Sequence, residues 1–78
     1  MSNEQRALTP FETSVCAALQ VVGVTIASLA PERRADMEEV VTKLIKALPA
    51  DQSIYGGRSE HHIALESLIA GIFPERNK

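Results

Sequence analysis

The chain has 78 residues, one cysteine and a net charge of −2. A single cysteine excludes a disulfide framework within the chain, and the lack of a basic excess disfavours binding to nucleic-acid phosphates. A hydrophobic core of this size contributes only about 3–5 kcal/mol to stability, so we expect a second copy of the chain to complete the fold.

The first predicted helix contains most of the longest uncharged stretch of the chain. Thr9, Pro10 and Glu12 have the spacing of a capping box with proline in the first turn, which predicts a helix over about residues 10–29. No charged residue occurs between Glu12 and Glu32. A helix without charge on any side is normally buried on all sides, and the rest of this short chain is too small to surround it.

Two opposite sides of this helix are apolar when its residues are placed at intervals of 100°. One side has the broad stripe typical of a helix that faces its own core, and it consists of Phe11, Val15, Ala18, Leu19, Val22, Ile26 and Leu29. The other, the small-residue side, would let another backbone approach closely, so we predict that it packs against a second copy of the chain, with Gln20 bonding across the contact. The predicted self-association residues are Cys16, Gln20, Gly23, Val24 and Ala27.

A second helix is predicted over residues 31–48. Pro31 disfavours helical geometry at Ala30, so this helix either is separate from the first or continues it through a kink. In its first turn, Arg34 is expected to pair with Glu38 four residues later, and the alternative is contact with an acidic partner. Its apolar stripe consists of Met37, Val40, Val41, Leu44, Ile45 and Leu48.

A loop over residues 49–58 is predicted to lead into a third helix over residues 59–73, with Ser59 as its N-cap and Pro74 after its end. Residues 1–8 are polar and are expected to fray. The whole chain therefore reads as one small all-α domain of three helices. We expect a helical hairpin plus a third helix, either in an up-down-up arrangement or, as we favour, completed by another copy.

The loop contains the strongest candidate for a ligand site. Glycines can turn backbone amides toward an anion, a helix N-terminus adds partial positive charge, and an arginine can bind a phosphate. The same residues also suit a plain flexible turn, because no strand precedes them as a phosphate-loop fingerprint would require. The candidate residues are Tyr55, Gly56, Gly57, Arg58 and Ser59.

Catalytic and metal sites are not predicted. No nucleophile can be paired with a base, so we expect a protein that is not an enzyme. His61 is expected to lie along the apolar stripe of the third helix and His62 at its edge. His62 and Glu66 could hold a zinc ion only with further ligands, and the sequence offers no third at a suitable spacing, so no cofactor is expected.

The sequence favours a cytoplasmic interaction protein that associates with itself and acts as an adaptor, regulator or inhibitor of a larger partner. The alternative is an oligomeric binder of an anionic metabolite or nucleotide at the loop. A membrane-inserted peptide is the weakest interpretation, because the apolar stretch is shorter than a span and no positive residues precede it in excess.

Overall fold

The computed structural model describes residues 4–77, and within that range it contains three α-helices and no strand. The predicted all-α class is confirmed. The helices are α1 (Pro10–Leu29), α2 (Arg34–Ala47) and α3 (Ile63–Ile72), with 3-10 turns at Pro31–Arg33 and Pro74–Asn77.

The start of α1 is fixed by the capping box that the sequence predicts. The amide of Glu12 donates to Thr9 Oγ1 at 3.1 Å, and the amide of Thr9 donates to Glu12 Oε1 at 2.9 Å. The guanidinium of Arg6 donates to both carboxylate oxygens of Glu12 at 2.7 Å and to Glu60 at 2.6 Å. These contacts tie the chain before α1 to the start of α1 and to the loop before α3.

The expectation that residues 1–8 fray is wrong for the part of that segment that the structure describes; residues 1–3 lie outside it. The amide of Arg6 donates to the carbonyl of Ser53 at 2.9 Å, and the amide of Tyr55 donates to the carbonyl of Arg6 at 3.1 Å. These two bonds form a short parallel bridge between Arg6 and Ile54, which is buried. Backbone pairing thus holds a segment that has few apolar anchors of its own.

The third helix lies at the centre of the packing. Both α1 and α2 pack against α3, whereas α1 and α2 make almost no contact with each other within residues 4–77. Cys16 lies near Ile63, and Gly23 lies near Ile72, so α1 and α3 run in the same direction. Arg34, the first residue of α2, contacts Ile72 at the end of α3. The α2 helix therefore runs antiparallel to α3.

The close approach of α1 and α3 depends on two glycines. A Cβ atom added to Gly71 would overlap the carbonyl oxygen of Gln20, and one added to Gly23 would overlap the carbonyl of Leu68 and lie 2.8 Å from the amide nitrogen of Ile72. Since the obstructing atoms belong to the backbone, they cannot rotate away. A side chain at either glycine would force the helices apart.

The α2 helix is separate from α1, because the 3-10 turn at Pro31–Arg33 intervenes. The expected pairing of Arg34 with Glu38 is wrong. Arg34 donates to the carbonyl of Ile72 at 3.1 Å and pairs with Glu75, and Glu38 pairs with Arg76. The cation of Arg34 thus lies at the C-terminal end of α3, where the helix dipole and the unpaired carbonyls favour positive charge.

The α3 helix begins at Ile63, four residues later than predicted. Ser59 is buried, and its hydroxyl donates to the carbonyl of Pro49 at 2.9 Å and accepts from the amide of His61 at 3.1 Å. Residues 60–62 form a turn before the helix. The expected orientation of His61 along the apolar stripe is therefore wrong, because His61 is exposed, whereas His62 is half-buried with Nε2 at 3.0 Å from the carbonyl of Leu48.

Candidate functional site

Among residues 4–77, the two most exposed large hydrophobic side chains, Phe11 and Leu29, lie near the two ends of α1, and Val22 between them is also exposed. Phe11 is 76% exposed, Val22 is 47% exposed and Leu29 is 80% exposed. The sequence-based assignment of these three residues to the core is wrong, because helical periodicity shows which residues share a side but not what covers that side. Of the other predicted core residues on α1, Val15, Leu19 and Ile26 are half-buried and Ala18 is exposed.

Five exposed residues and the half-buried Val15 follow a strict heptad spacing along α1, whereas the exposed Val21 and Val24 lie outside this line. Successive positions are four, three, four, three and four residues apart, which is the a/d pattern of helices that pair along a narrow seam. We name this set the heptad stripe, and it consists of Phe11, Val15, Ala18, Val22, Thr25 and Leu29. Thr25 completes the spacing although it is polar, and its hydroxyl donates to the carbonyl of Val21 within the helix at 3.0 Å. Its polarity is why the sequence-based stripe omitted it.

The small-residue side of α1 is covered in part by α3 of the same chain. Gly23 is buried against α3, and Cys16 is half-buried with Sγ 3.8 Å from the carbonyl of Ile63. The prediction that these two residues meet a second copy is corrected by this placement. Ala27 is half-buried, and Gln20 and Val24 are exposed. The expectation of a close backbone approach holds for Gly23, but the approaching backbone is that of α3.

Part of the α2 stripe is exposed as well. Val41 is buried and Ile45 is half-buried. By contrast, Val40, Leu44 and Leu48 are among the exposed large hydrophobic residues. The predicted stripe therefore divides into an edge that packs and an edge that faces outward.

The glycine loop makes a compact turn whose polar groups bond within the chain. Gly56 and Gly57 have φ angles of 88° and 77°, the left-handed region that favours glycine. The amides of Gly57 and Arg58 both donate to the carbonyl of Ile54, at 3.1 and 3.2 Å. Tyr55 is exposed, and Arg58 lies 3.6 Å from Glu66. The loop conformation is thus explained by its own bonds.

The amides before α3 that were predicted to face an anion also have acceptors inside the chain. The amides of His62 and Ile63 donate to the carbonyl of Ser59, and the amide of Glu60 donates to Asp51 Oδ1. With these donors engaged, an anion at this place would have to compete with existing bonds. The geometry gives the predicted ligand site no support beyond the residue types themselves.

The structure brings together three ligand-type side chains that the sequence reasoning missed: Asp51, Glu60 and His61. Asp51 Oδ2 lies 2.6 Å from Nδ1 of His61, and Asp51 Oδ1 accepts from the amide and hydroxyl of Ser53. Burial raises the pKa of Asp51, but these hydrogen bonds outweigh it and lower the pKa well below its usual range. Glu60 is paired with Arg6. The group therefore connects two turns of the loop through hydrogen bonds. The spacing of these residues in the sequence does not predict this contact.

By length and composition, α1 is also apolar enough to cross a membrane, and little of it is buried within the chain. The core helix of a small soluble domain and a signal sequence near an N-terminus can meet the same criterion.

No protein-family model, curated protein or solved structure matches this chain. The site's own geometry is therefore the basis for a functional proposal.

Proposed function

We propose that this chain is a non-enzymatic helical interaction protein that forms a homodimer through the heptad stripe of α1 and serves as an adaptor, regulator or inhibitor of a larger partner. The observation that carries the proposal is an exposed apolar stripe along a 20-residue helix with no charge after its first turn.

The exposure of large apolar side chains on α1 favours an occupant on energetic grounds. Burial of apolar surface contributes roughly 25 cal/mol per Å², and monomeric proteins rarely expose contiguous apolar patches above a few hundred Å². Phe11 and Leu29 are each more than three-quarters exposed at opposite ends of the helix. Covering the stripe between them would add stability that a core of this size lacks.

The pattern of the stripe favours a second helix as the occupant. Heptad spacing keeps one narrow line of side chains in register with a neighbouring helix over its whole length. A second copy supplies such a helix, with the same length and the same uncharged surface. Two copies can therefore pair without placing any charged side chain between Thr13 and Pro31 in the contact.

A membrane surface is the less suitable occupant. Helices that lie in a membrane interface are rich in lysine and arginine on their polar side, where they meet anionic lipids. No lysine or arginine occurs between Arg6 and Arg33. The side of α1 that would face water in such an arrangement is instead packed against α3 at Gly23.

Sedimentation equilibrium without detergent tests the proposal directly. We expect the wild-type chain to be a dimer at about 100 µM, since a helix pair about 30 Å long is smaller than a standard protein interface and should associate in the micromolar range. Val22→Glu places a charge in the stripe and should raise the dissociation constant by about 100-fold or more. Val22 is exposed in the single chain, so its fold should survive, as circular dichroism can verify.

Ala17→Glu provides the matched control. Ala17 is exposed on α1 about 140° from Val22 and about 120° from Leu29, so the same charge should leave the dimer intact there. A wild-type monomer at this concentration would overturn the proposal. If wild type co-sedimented with lipid vesicles and Val22→Glu did not, a membrane rather than a second copy would be the occupant of the stripe.

A further inference from the structure

We infer that the two α1 helices pair in antiparallel orientation across the heptad stripe, with the two-fold axis at the level of Gln20. The inference rests on the proposed function, because it specifies how the second copy lies on the same surface. It follows from the order of large and small residues along the stripe and from what α3 covers on the other side of α1.

The spacing of the stripe is the same when it is read in either direction. Its six positions are symmetric about residue 20, because each pair of partners has numbers that add to twice that value. An antiparallel copy centred there would place every stripe residue opposite another stripe residue. Phe11 would meet Leu29, Val15 would meet Thr25, and Ala18 would meet Val22 of the second copy.

The sizes of these residues favour the antiparallel pairs. A parallel pair in register would put Phe11 against Phe11 and Ala18 against Ala18, which crowds one layer and leaves a gap in another. Well-packed interfaces alternate large and small residues and avoid both voids and strain. The antiparallel arrangement gives the small Ala18 a larger neighbour, Val22, and spreads the bulk of Phe11 and Leu29 over the two ends.

Charges beside the stripe do not favour the parallel orientation. In parallel coiled coils, charged residues beside the seam often set the orientation. Here the neighbouring positions on α1 are uncharged, apart from Glu12, whose carboxylate is bound by Arg6. The helix dipoles of two antiparallel helices also attract each other. Side-chain packing and helix dipoles therefore both favour the antiparallel orientation.

The position of the axis agrees with the packing inside each chain. Gln20 is the residue whose backbone meets Gly71 at the crossing of α1 and α3. An axis at this level would place each α3 on the outside of the dimer and two α1 helices in the middle. The middle helices would then be covered by α3 and by the second copy, which accounts for the absence of charge on those two sides of α1, while Val21 and Val24 lie on a third side.

Disulfide trapping of single cysteines distinguishes the orientations. In a Cys16→Ala background, sedimentation first establishes whether the proposed dimer forms. Ala18→Cys and Val22→Cys are then oxidised separately and after mixing. In the antiparallel dimer, two copies of residue 18 are offset by about 6 Å along the axis in addition to the helix separation, which is too far for a disulfide. In the same dimer, residue 18 of one copy lies opposite residue 22 of the other, so a disulfide can form between those two positions.

We expect cross-linked dimer only in the mixture, at about half of the protein, which is the statistical share of mixed dimers. Cross-linking of Ala18→Cys alone would show a parallel pair and overturn the inference. A dimer that cross-links in none of the three samples would also overturn it, since the stripe would then lie outside the contact. A monomeric background protein would overturn the proposed function itself.

Discussion

The two sides of α1 differ in the residues that they bury and expose, and Phe11 and Leu29 depart from the usual distribution of side chains. The side that packs against α3 depends on Gly23, whereas Phe11 and Leu29 point outward. Large apolar residues are ordinarily the ones inside. The comparison shows that a close backbone approach selects a small residue at Gly23, and that large residues near the two ends of the same helix are left exposed.

The strongest test of this comparison is Gly71→Ala on the packed side. The added methyl group overlaps the backbone of Gln20, so α1 and α3 must separate. We expect the free energy of unfolding to fall by about 2–3 kcal/mol, because the strain exceeds the gain of about 1 kcal/mol in helix propensity. Urea titration followed by circular dichroism measures the loss.

Ser28→Ala is the control for this change, since Ser28 is exposed on α1 and a small substitution there should alter stability by less than about 0.5 kcal/mol. Wild-type stability of Gly71→Ala would show that the two helices do not approach as closely as described.

A matched pair of leucines on one helix compares the two sides directly. Leu19 is half-buried, and Leu29 is 80% exposed. In dilute protein, we expect Leu19→Ala to lower the free energy of unfolding by about 1–2 kcal/mol and Leu29→Ala to lower it by less than about 0.5 kcal/mol. Urea titrations measure both values.

Raising the protein concentration should change the difference in stability from wild type for only one of the two variants, Leu29→Ala. Above the dissociation constant, dimerisation stabilises wild type by an amount that grows with the logarithm of the protein concentration, so Leu29→Ala should then fall behind wild type as well. Equal losses for the two variants in dilute protein would mean that the outward side of α1 is already covered within one chain.

The smallest expected effect on stability comes from Glu12, the charged residue in the first turn of α1. Hydrogen bonds from Arg6 and from the amide of Thr9 lower the pKa of Glu12 to about 2 from an ordinary value of 4.5. A carboxylate whose pKa is lowered by folding stabilises the fold above its unfolded pKa, and this contribution is lost as the pH falls from about 4.5 toward 2.

Urea titrations between pH 2 and pH 7 should show this loss, and Glu12→Gln should reduce the slope. The slope should not vanish, because the pKa values of Glu38 and Glu75 are also lowered, the first chiefly by Arg76 and the second chiefly by a backbone hydrogen bond. An unchanged slope in Glu12→Gln would contradict the role given to its bond with Arg6.

The capping-box signal in the sequence predicted the start of α1 correctly. The capping box of Thr9 and Glu12 joins residues only three apart, so the pattern contains all the information that it needs. Long-range pairings were not accessible in this way. Arg34 was expected to bond four residues along its own helix, but it reaches Ile72 and Glu75 at the end of α3.

The candidate surfaces show the same limit. Periodicity correctly grouped Phe11, Val22 and Leu29 on one side of α1, but it contained nothing about the position of α3. The late start of α3 at Ile63 changed the directions of His61 and His62, because helical angles apply only inside the helix. The bond between Asp51 and His61 depends on a loop conformation that no spacing rule describes.

The glycine crossing has a consequence for how this sequence can evolve. At Gln20 the inner contact is made by the carbonyl oxygen, which every amino acid possesses, so drift at position 20 should be tolerated. At Gly71 the contact tolerates no side-chain atom at all. Orthologues that keep this architecture should therefore retain glycine at position 71, while position 20 accepts many residue types. An alignment of their sequences would show this difference.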